Sequence, residues 1–291
     1  MQNPAQALSV TIVLDESSPA PELAQVASRL LPPDTDWTVV VTAEQHPALT
    51  TGATGFAAPV LSPEEMEARF QTEQVQADAA AAATARALGD RSVRQVVVRG
   101  GVVGAIQAMF EDDSCDLVVV GSTDLAKDLT HNDIPRVLAI PSTADIDVDG
   151  PVLVAVDDSP LDERIADTVA TLFRSASEIL TLHVTPTMPP VAPPAAFGVI
   201  AAPMPPDLGQ PLAEEAQQAA ERTTERIGLR DVTPVGAVGD PVDGILEAAD
   251  EHGAAIIVLG SRDRSWLSRL FDPSVSDAVR RRADRPILIL R

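Results

Sequence analysis

Cysteine occurs once, at Cys115, so the chain can form neither an internal disulfide nor a thiolate-rich zinc site. Cys115 stands just before the apolar run Leu117-Val118-Val119-Val120, which predicts a buried packing role rather than a reactive thiol. Lysine is equally scarce: Lys127 is the single example, and all other basic residues are arginine. With 21 basic residues against 43 acidic ones, the formal net charge is -22. A field of that sign repels phosphate backbones and anionic lipid, so neither nucleic acid nor a membrane surface is an expected partner. An acidic, lysine-poor surface fits a salt-adapted organism and a high-GC genome equally well, and most of these carboxylates need be no more than a solvated face. The stretch from Met1 to Ala7 has no basic segment followed by a long apolar one, so no secretory signal is expected. No apolar run approaches the roughly 20 residues that cross a bilayer. The expected address is cytoplasmic.

What is present suffices for globular folding. The 291 residues exceed what one core usually holds, and 45% hydrophobic with 22% charged residues can bury two cores. An internal repeat decides between one large domain and two. Gly100-Gly101-Val102-Val103-Gly104-Ala105-Ile106, followed by a helix-like stretch and Asp116-Leu117-Val118-Val119-Val120-Gly121-Ser122, matches Gly239-Asp240-Pro241-Val242-Asp243-Gly244-Ile245 followed by Ala255-Ile256-Ile257-Val258-Leu259-Gly260-Ser261. Upstream, Thr11-Ile12-Val13-Leu14-Asp15-Glu16-Ser17 matches Leu153-Val154-Ala155-Val156-Asp157-Asp158-Ser159. The chain reads as a duplication joined near Asp147 to Gly150, with domains at 1–148 and 149–291.

The second copy alternates strands and helices. Val152 to Val156 is a short continuous apolar run, as a parallel strand buried on both faces requires. Ser159-Pro160 predicts a helix start, with Ser159 as cap and Pro160 at the first position, and Ile165, Val169 and Leu172 form the buried stripe. Ile179 to Val184, Val232 to Val238, Ala255 to Leu259 and Ile287 to Leu290 are the further strands. Leu212 to Ile227, a helix built on Val242, Ile245, Leu246 and Ala249 and ended by Gly253, and Ser274 to Arg282 are the further helices. This alternation implies an α/β fold in which each domain is a doubly wound parallel sheet, expected in a flavodoxin-like strand order. Two proline- or glycine-rich excursions, Pro47 to Pro63 and Thr185 to Pro211, are expected to be irregular, as lids, partner surfaces or inert insertions.

In an open parallel sheet, ligands bind beyond the carboxyl ends of the strands, where the strand order reverses. In the second copy that crevice lies between the strand ending at Asp157 and the strand ending at Gly260, which makes these two the first candidates.

Val154-Ala155-Val156-Asp157-Asp158-Ser159, Leu182-His183-Val184, Gly239-Asp240-Pro241 and the run from Val258 to Leu290 resemble the universal stress protein family. The resemblance covers the whole second copy and, more weakly, the first. It implies an adenine nucleotide alpha hydrolase-like strand order and a stress-response protein of regulatory or binding function. The family includes members that bind ATP and members that bind no nucleotide, and its members commonly dimerise through the final strand. Its ATP-binding signature, G-x2-G-x9-G-[ST], falls on Gly260, Asp263, Pro273 and Ser274, so the spacing is kept while two glycines are replaced. Asp263 puts a negative charge where a triphosphate would lie and Pro273 removes an amide donor, whereas Arg262 and Arg264 flank the loop and could neutralise phosphate. By resemblance Asp157, with Ala155 before it, meets the adenine or ribose and Val184 the adenine through its backbone, while Ser274, Val275 and Ser276 meet phosphates.

Each residue also has a plainer reading. Ser274 with Asp277 forms a capping box that would merely start a helix. Asp157 could satisfy amides at a strand end, and His183 reads as a core histidine rather than a metal ligand. In the first copy, Ser122 to Ile134 is too short for a phosphate loop and a full helix together, so that domain is expected to bind no nucleotide. It would instead act as a built-in partner through Val137-Leu138-Ala139-Ile140, giving an internal pseudo-dimer, with a homodimer through Ile287 to Leu290 left open.

Three functions follow from these residues. One is an adenine-nucleotide sensor using ATP, ADP or AMP, and another is a scaffold that has lost nucleotide binding. The third, an ATP-hydrolysing or adenylating enzyme, would be expected to carry an SGGxDS-type loop where this chain has Asp157-Asp158-Ser159-Pro160. No nucleophile, base and orienting group converge elsewhere, so no dedicated catalysis is expected. A flavin carrier is the weaker relative of the same fold argument.

Overall fold

The computed structural model describes residues 7–14, 20–43, 62–89, 91–99, 101–141, 148–157, 161–174, 176, 178–186, 209–228, 231–260 and 273–291. The chain divides into two compact units, Met1–Ala144 and Asp145–Arg291.

The first unit is built from β1 (Ser9–Leu14), α1 (Ala20–Leu30), β2 (Asp36–Ala43), α2 (Pro63–Ala87), β3 (Val93–Arg99), α3 (Val102–Glu111), β4 (Leu117–Val120), α4 (Thr123–His131) and β5 (Arg136–Ala139). Its strands are parallel and lie in the order β3-β2-β1-β4-β5. The central strands are apolar because both faces are covered: Ile12, Val13, Val39, Val40, Leu117, Val118, Val119 and Val120 have no exposed surface. Cys115 lies in the same interior, its thiol donating to Leu117 O at 3.4 Å, and burial pushes its pKa up to about 11.

The second unit repeats the pattern with β6 (Val152–Val156), α5 (Leu161–Leu172), β7 (Ile179–Thr185), α6 (Gly209–Ile227), β8 (Val232–Val238), α7 (Pro241–Glu251), β9 (Ile256–Gly260), α8 (Pro273–Arg282) and β10 (Ile287–Leu290). Its strands are again parallel, in the order β8-β7-β6-β9-β10. Both sheets are therefore doubly wound as expected, but their order corrects the flavodoxin-like expectation. A flavodoxin-like sheet runs 2-1-3-4-5 and reverses between its first and third strands. Here each unit runs 3-2-1-4-5 and reverses between its first and fourth, β1 with β4 and β6 with β9. Alternating strands and helices permit either order; where each crossover helix packs decides it.

Two proline-rich excursions end later in sequence than they do in structure. Pro63 is the first residue of α2, capped by Ser62 in a reciprocal box with Glu65, and Pro211 falls in the first turn of α6. Proline is tolerated there because the first helical amides have no intrahelical acceptor. Residues 47–61 and 187–208 of those excursions lie outside the described residues, as do Ser159 and Pro160. Among the described residues no helix is long and apolar enough to cross a membrane.

Candidate functional site

The switch point of the second unit lies at the carboxyl ends of β6, β7 and β9. Register fixes their levels. Val152, Leu153 and Val154 pair with Ile256, Ile257 and Val258, so Val156 is level with Gly260 when the ladder is continued. Val156 also pairs with His183, which sets Asp157 level with Val184 one step further. Asp157 and Gly260 thus end adjacent strands, and Val184 stands beside Asp157 on the other flank.

Strand alternation gives the face. Leu153 and Ala155 belong to one buried cluster with Leu182, Val184, Ile245 and Ala248 of α7, and Val275 and Val279 of α8. Asp157, two residues beyond Ala155, follows the same face. Its residue is partly exposed, yet its Oδ2 is buried and has no hydrogen-bond partner among the described residues. A buried carboxylate oxygen without a donor is costly. The plainer reading of Asp157, a carboxylate satisfying local amides, does not account for that oxygen.

Two helices begin near this edge, and they differ. Asp240 caps α7: its Oδ1 accepts from the amides of Val242 at 2.9 Å and Asp243 at 3.2 Å. The donors that could have met an anion are taken up by the chain's own carboxylate. At α8, helix begins at Pro273, which places Ser274 inside the first turn rather than at the cap, so the capping-box reading is corrected. Asp277 instead pairs with Arg280 at 3.1 Å, and the Arg280 side chain is 2% exposed. Sequence reasoning missed this inward-facing arginine; its signal was the three-residue spacing from Asp277 on a helix.

Val275 packs in the core and Ser276 is 5% exposed, its hydroxyl donating to Gly260 O over 3.5 Å. That bond is long, at the limit of hydrogen-bond geometry, and ties the first turn of α8 loosely to the end of β9. Of the residues singled out from sequence, Ala155, Asp157, Val184, Gly260, Val275 and Ser276 converge on this edge. Ser274 is placed there by its backbone. Arg262, Asp263 and Arg264 lie outside the described residues. His183 is partly buried within β7, and no cluster of three metal-ligating side chains occurs among the described residues.

The first unit is built differently at the equivalent place. Gly121 ends β4, and Ser122 at once caps α4, its hydroxyl accepting from Leu125 N at 3.3 Å. The helix takes up most of the stretch before β5, as the short sequence required. Asp15, the counterpart of Asp157, lies outside the described residues.

The sequence profile described as the universal stress protein family matches residues 6–145 and again 150–291. The chain is 42% identical over 53 residues to the stress response protein NhaX of Bacillus subtilis, a stretch covering 18% of this chain and 32% of that protein. It is 28% identical over 88 residues to the universal stress protein MJ0577 of Methanocaldococcus jannaschii, covering 29% of this chain and 54% of that one. The matched stretches thus span about a third and about half of these relatives. The crystal structure of a universal stress protein from Archaeoglobus fulgidus shares the fold at a TM-score of 0.60 and 16% identity, covering 98% of this chain and 97% of its own.

Proposed function

The chain belongs to the universal stress protein family in both of its halves, and on that premise we propose that its second unit binds an adenine nucleotide and that the protein is a regulatory, non-catalytic stress-response protein of the cytoplasm. The observation that carries this reading is the buried Oδ2 of Asp157, without a partner among the described residues, at the strand switch point. An unmet acceptor there suits a ribose hydroxyl or an exocyclic amine, both of which donate. Val184 and Ala155 supply apolar surface for a ring, and the first turn of α8 offers amides beyond Pro273 to a phosphate. The self-capped α7 does not compete for that anion. A catalytic reading would need a nucleophile with a base beside it; among the described side chains at this edge the Asp240 carboxylate is taken up as a helix cap and the Ser276 hydroxyl is directed at a backbone carbonyl, which leaves Asp157.

Calorimetric titration of the full chain with ATP, ADP and AMP, together with Asp157→Ala, tests the reading. Saturable binding that the substitution abolishes supports it. No heat with any of the three up to millimolar concentration overturns it in favour of a nucleotide-independent scaffold, the reading that the replacement of two signature glycines by Asp263 and Pro273 favours.

A further inference from the structure

Glycine is among the least favourable residues inside a helix, yet α7 carries Gly244 one turn from its start. The helix is regular there, since the Gly244 amide donates to Asp240 O at 2.8 Å. Backbone freedom is therefore not what this position needs. The strand beside it gives the reason. A Cβ at position 244 would stand 3.0 Å from Val184 Cγ1 and 3.2 Å from Cγ2, whereas non-bonded carbons settle at about 3.5–4.0 Å. Val184 cannot turn away freely, because it is β-branched and 5% exposed.

This contact meets the candidate site directly. Val184 is the penultimate residue of β7 and stands level with Asp157, whose buried Oδ2 has no partner among the described residues. We propose that Gly244 is a positioning residue of the nucleotide site: by lacking a side chain it lets α7 seat against β7, and so sets where Val184 stands beside the bound ring. A methyl at 244 leaves two responses, a shift of Val184 along the sheet edge or a lift of the first turn of α7. Either changes the width of the slot next to Asp157. The proposal rests on the nucleotide reading above.

The test is a double-mutant cycle on the full chain, with Gly244→Ala, Val184→Ala and the pair, read by calorimetry with ATP and AMP and by thermal melting. Gly244→Ala is expected to weaken binding about tenfold, the low end of an overpacking effect expressed as affinity. Its melting temperature is expected to change little, because the better helix propensity of alanine offsets the strain of the added methyl. Val184→Ala removes both crowded methyls, so adding Gly244→Ala to it should change affinity by less than about twofold, the non-additivity of residues in contact. A merely structural glycine would lower the melting temperature and leave the affinity of the folded fraction unchanged. Wild-type affinity in Gly244→Ala, or the same loss in both backgrounds, overturns the positioning role while nucleotide binding stands. Failure of the wild-type chain to bind either nucleotide overturns both.

Discussion

The side-chain amide of Gln217 on α6 takes the place of a strand residue beside Gly236 on β8. Its Oε1 accepts from Gly236 N at 2.9 Å while its Nε2 donates to Pro234 O at 3.2 Å. Those are the two backbone groups that a parallel neighbour would pair with around Val235. β8 ends the sheet order of its unit, and an unpaired edge is a template for association. The helix comes this close only because residue 236 has no side chain: a Cβ there would lie 2.2 Å from Gln217 N and 2.5 Å from Ala216 C.

Gln217→Ala should therefore lower stability by about 1–3 kcal/mol, the sum of two partly buried hydrogen bonds. Gly236→Ala should cost at least as much by forcing α6 off the sheet. Urea unfolding measures both, and sedimentation at rising concentration tests whether the opened edge in Gln217→Ala promotes self-association.

Arg285 holds the end of α7. Its Nη1 donates to Ala249 O at 2.7 Å and Ala254 O at 3.0 Å, Nη2 pairs with Asp250, and Nε donates to Asp284 at 3.0 Å. Loss of this fork in Arg285→Ala should cost about 2–3 kcal/mol, since charge-assisted hydrogen bonds from a largely buried guanidinium are the strong ones. Arg285→Lys should recover little, because one ammonium cannot reproduce the planar fork. Chemical denaturation of the three proteins distinguishes these outcomes.

Asp157 should separate stability from binding. Removing a buried acceptor with no donor among the described residues should leave the unliganded protein unchanged or up to about 1 kcal/mol more stable, the usual sign where function maintains strain. Melting of Asp157→Ala with and without nucleotide reads both effects: the variant should match or exceed the wild type alone and show no ligand-induced rise.

Titration of the full chain should saturate at one nucleotide per chain. In the first unit α4 begins directly after Gly121, with Ser122 at its cap, so helix takes up the stretch that a phosphate-binding loop would need. A stoichiometry of two would overturn this assignment.

Cys115 should react slowly with a thiol reagent in the native protein at pH 8 and rapidly in denaturant. Burial raises its folded pKa from 9.0 to about 11, so the native thiol stays protonated where the unfolded one begins to ionise. The sign for stability follows: the thiol's contribution is complete below about pH 9 and is lost as pH rises through about 11. Labelling rates and melting temperatures between pH 8 and 11 check both statements.

Much of this molecule is legible in its sequence because the signals are local and periodic. Val152 to Val156, Val232 to Val238 and Ile287 to Leu290 read as strands and are strands over those same residues. The duplicated glycine spacing exposes the tandem family, and a strand ending in Asp157 places a carboxylate at a switch point. Helix starts were less legible where proline intervened. Pro63, Pro211 and Pro273 sit inside first turns, because a residue without an amide is at home where no acceptor awaits one.

The sequence by itself thus determined the element order, the repeat and the family. Only the tertiary structure decided the 3-2-1-4-5 order, the burial of Asp157 Oδ2, the seating of Gly244 against Val184 and the pairing of Gln217 with Gly236. The physical reason is range. Apolar runs and caps act between residues a few positions apart, whereas these relationships join different elements and exist only after each crossover helix has packed on its sheet.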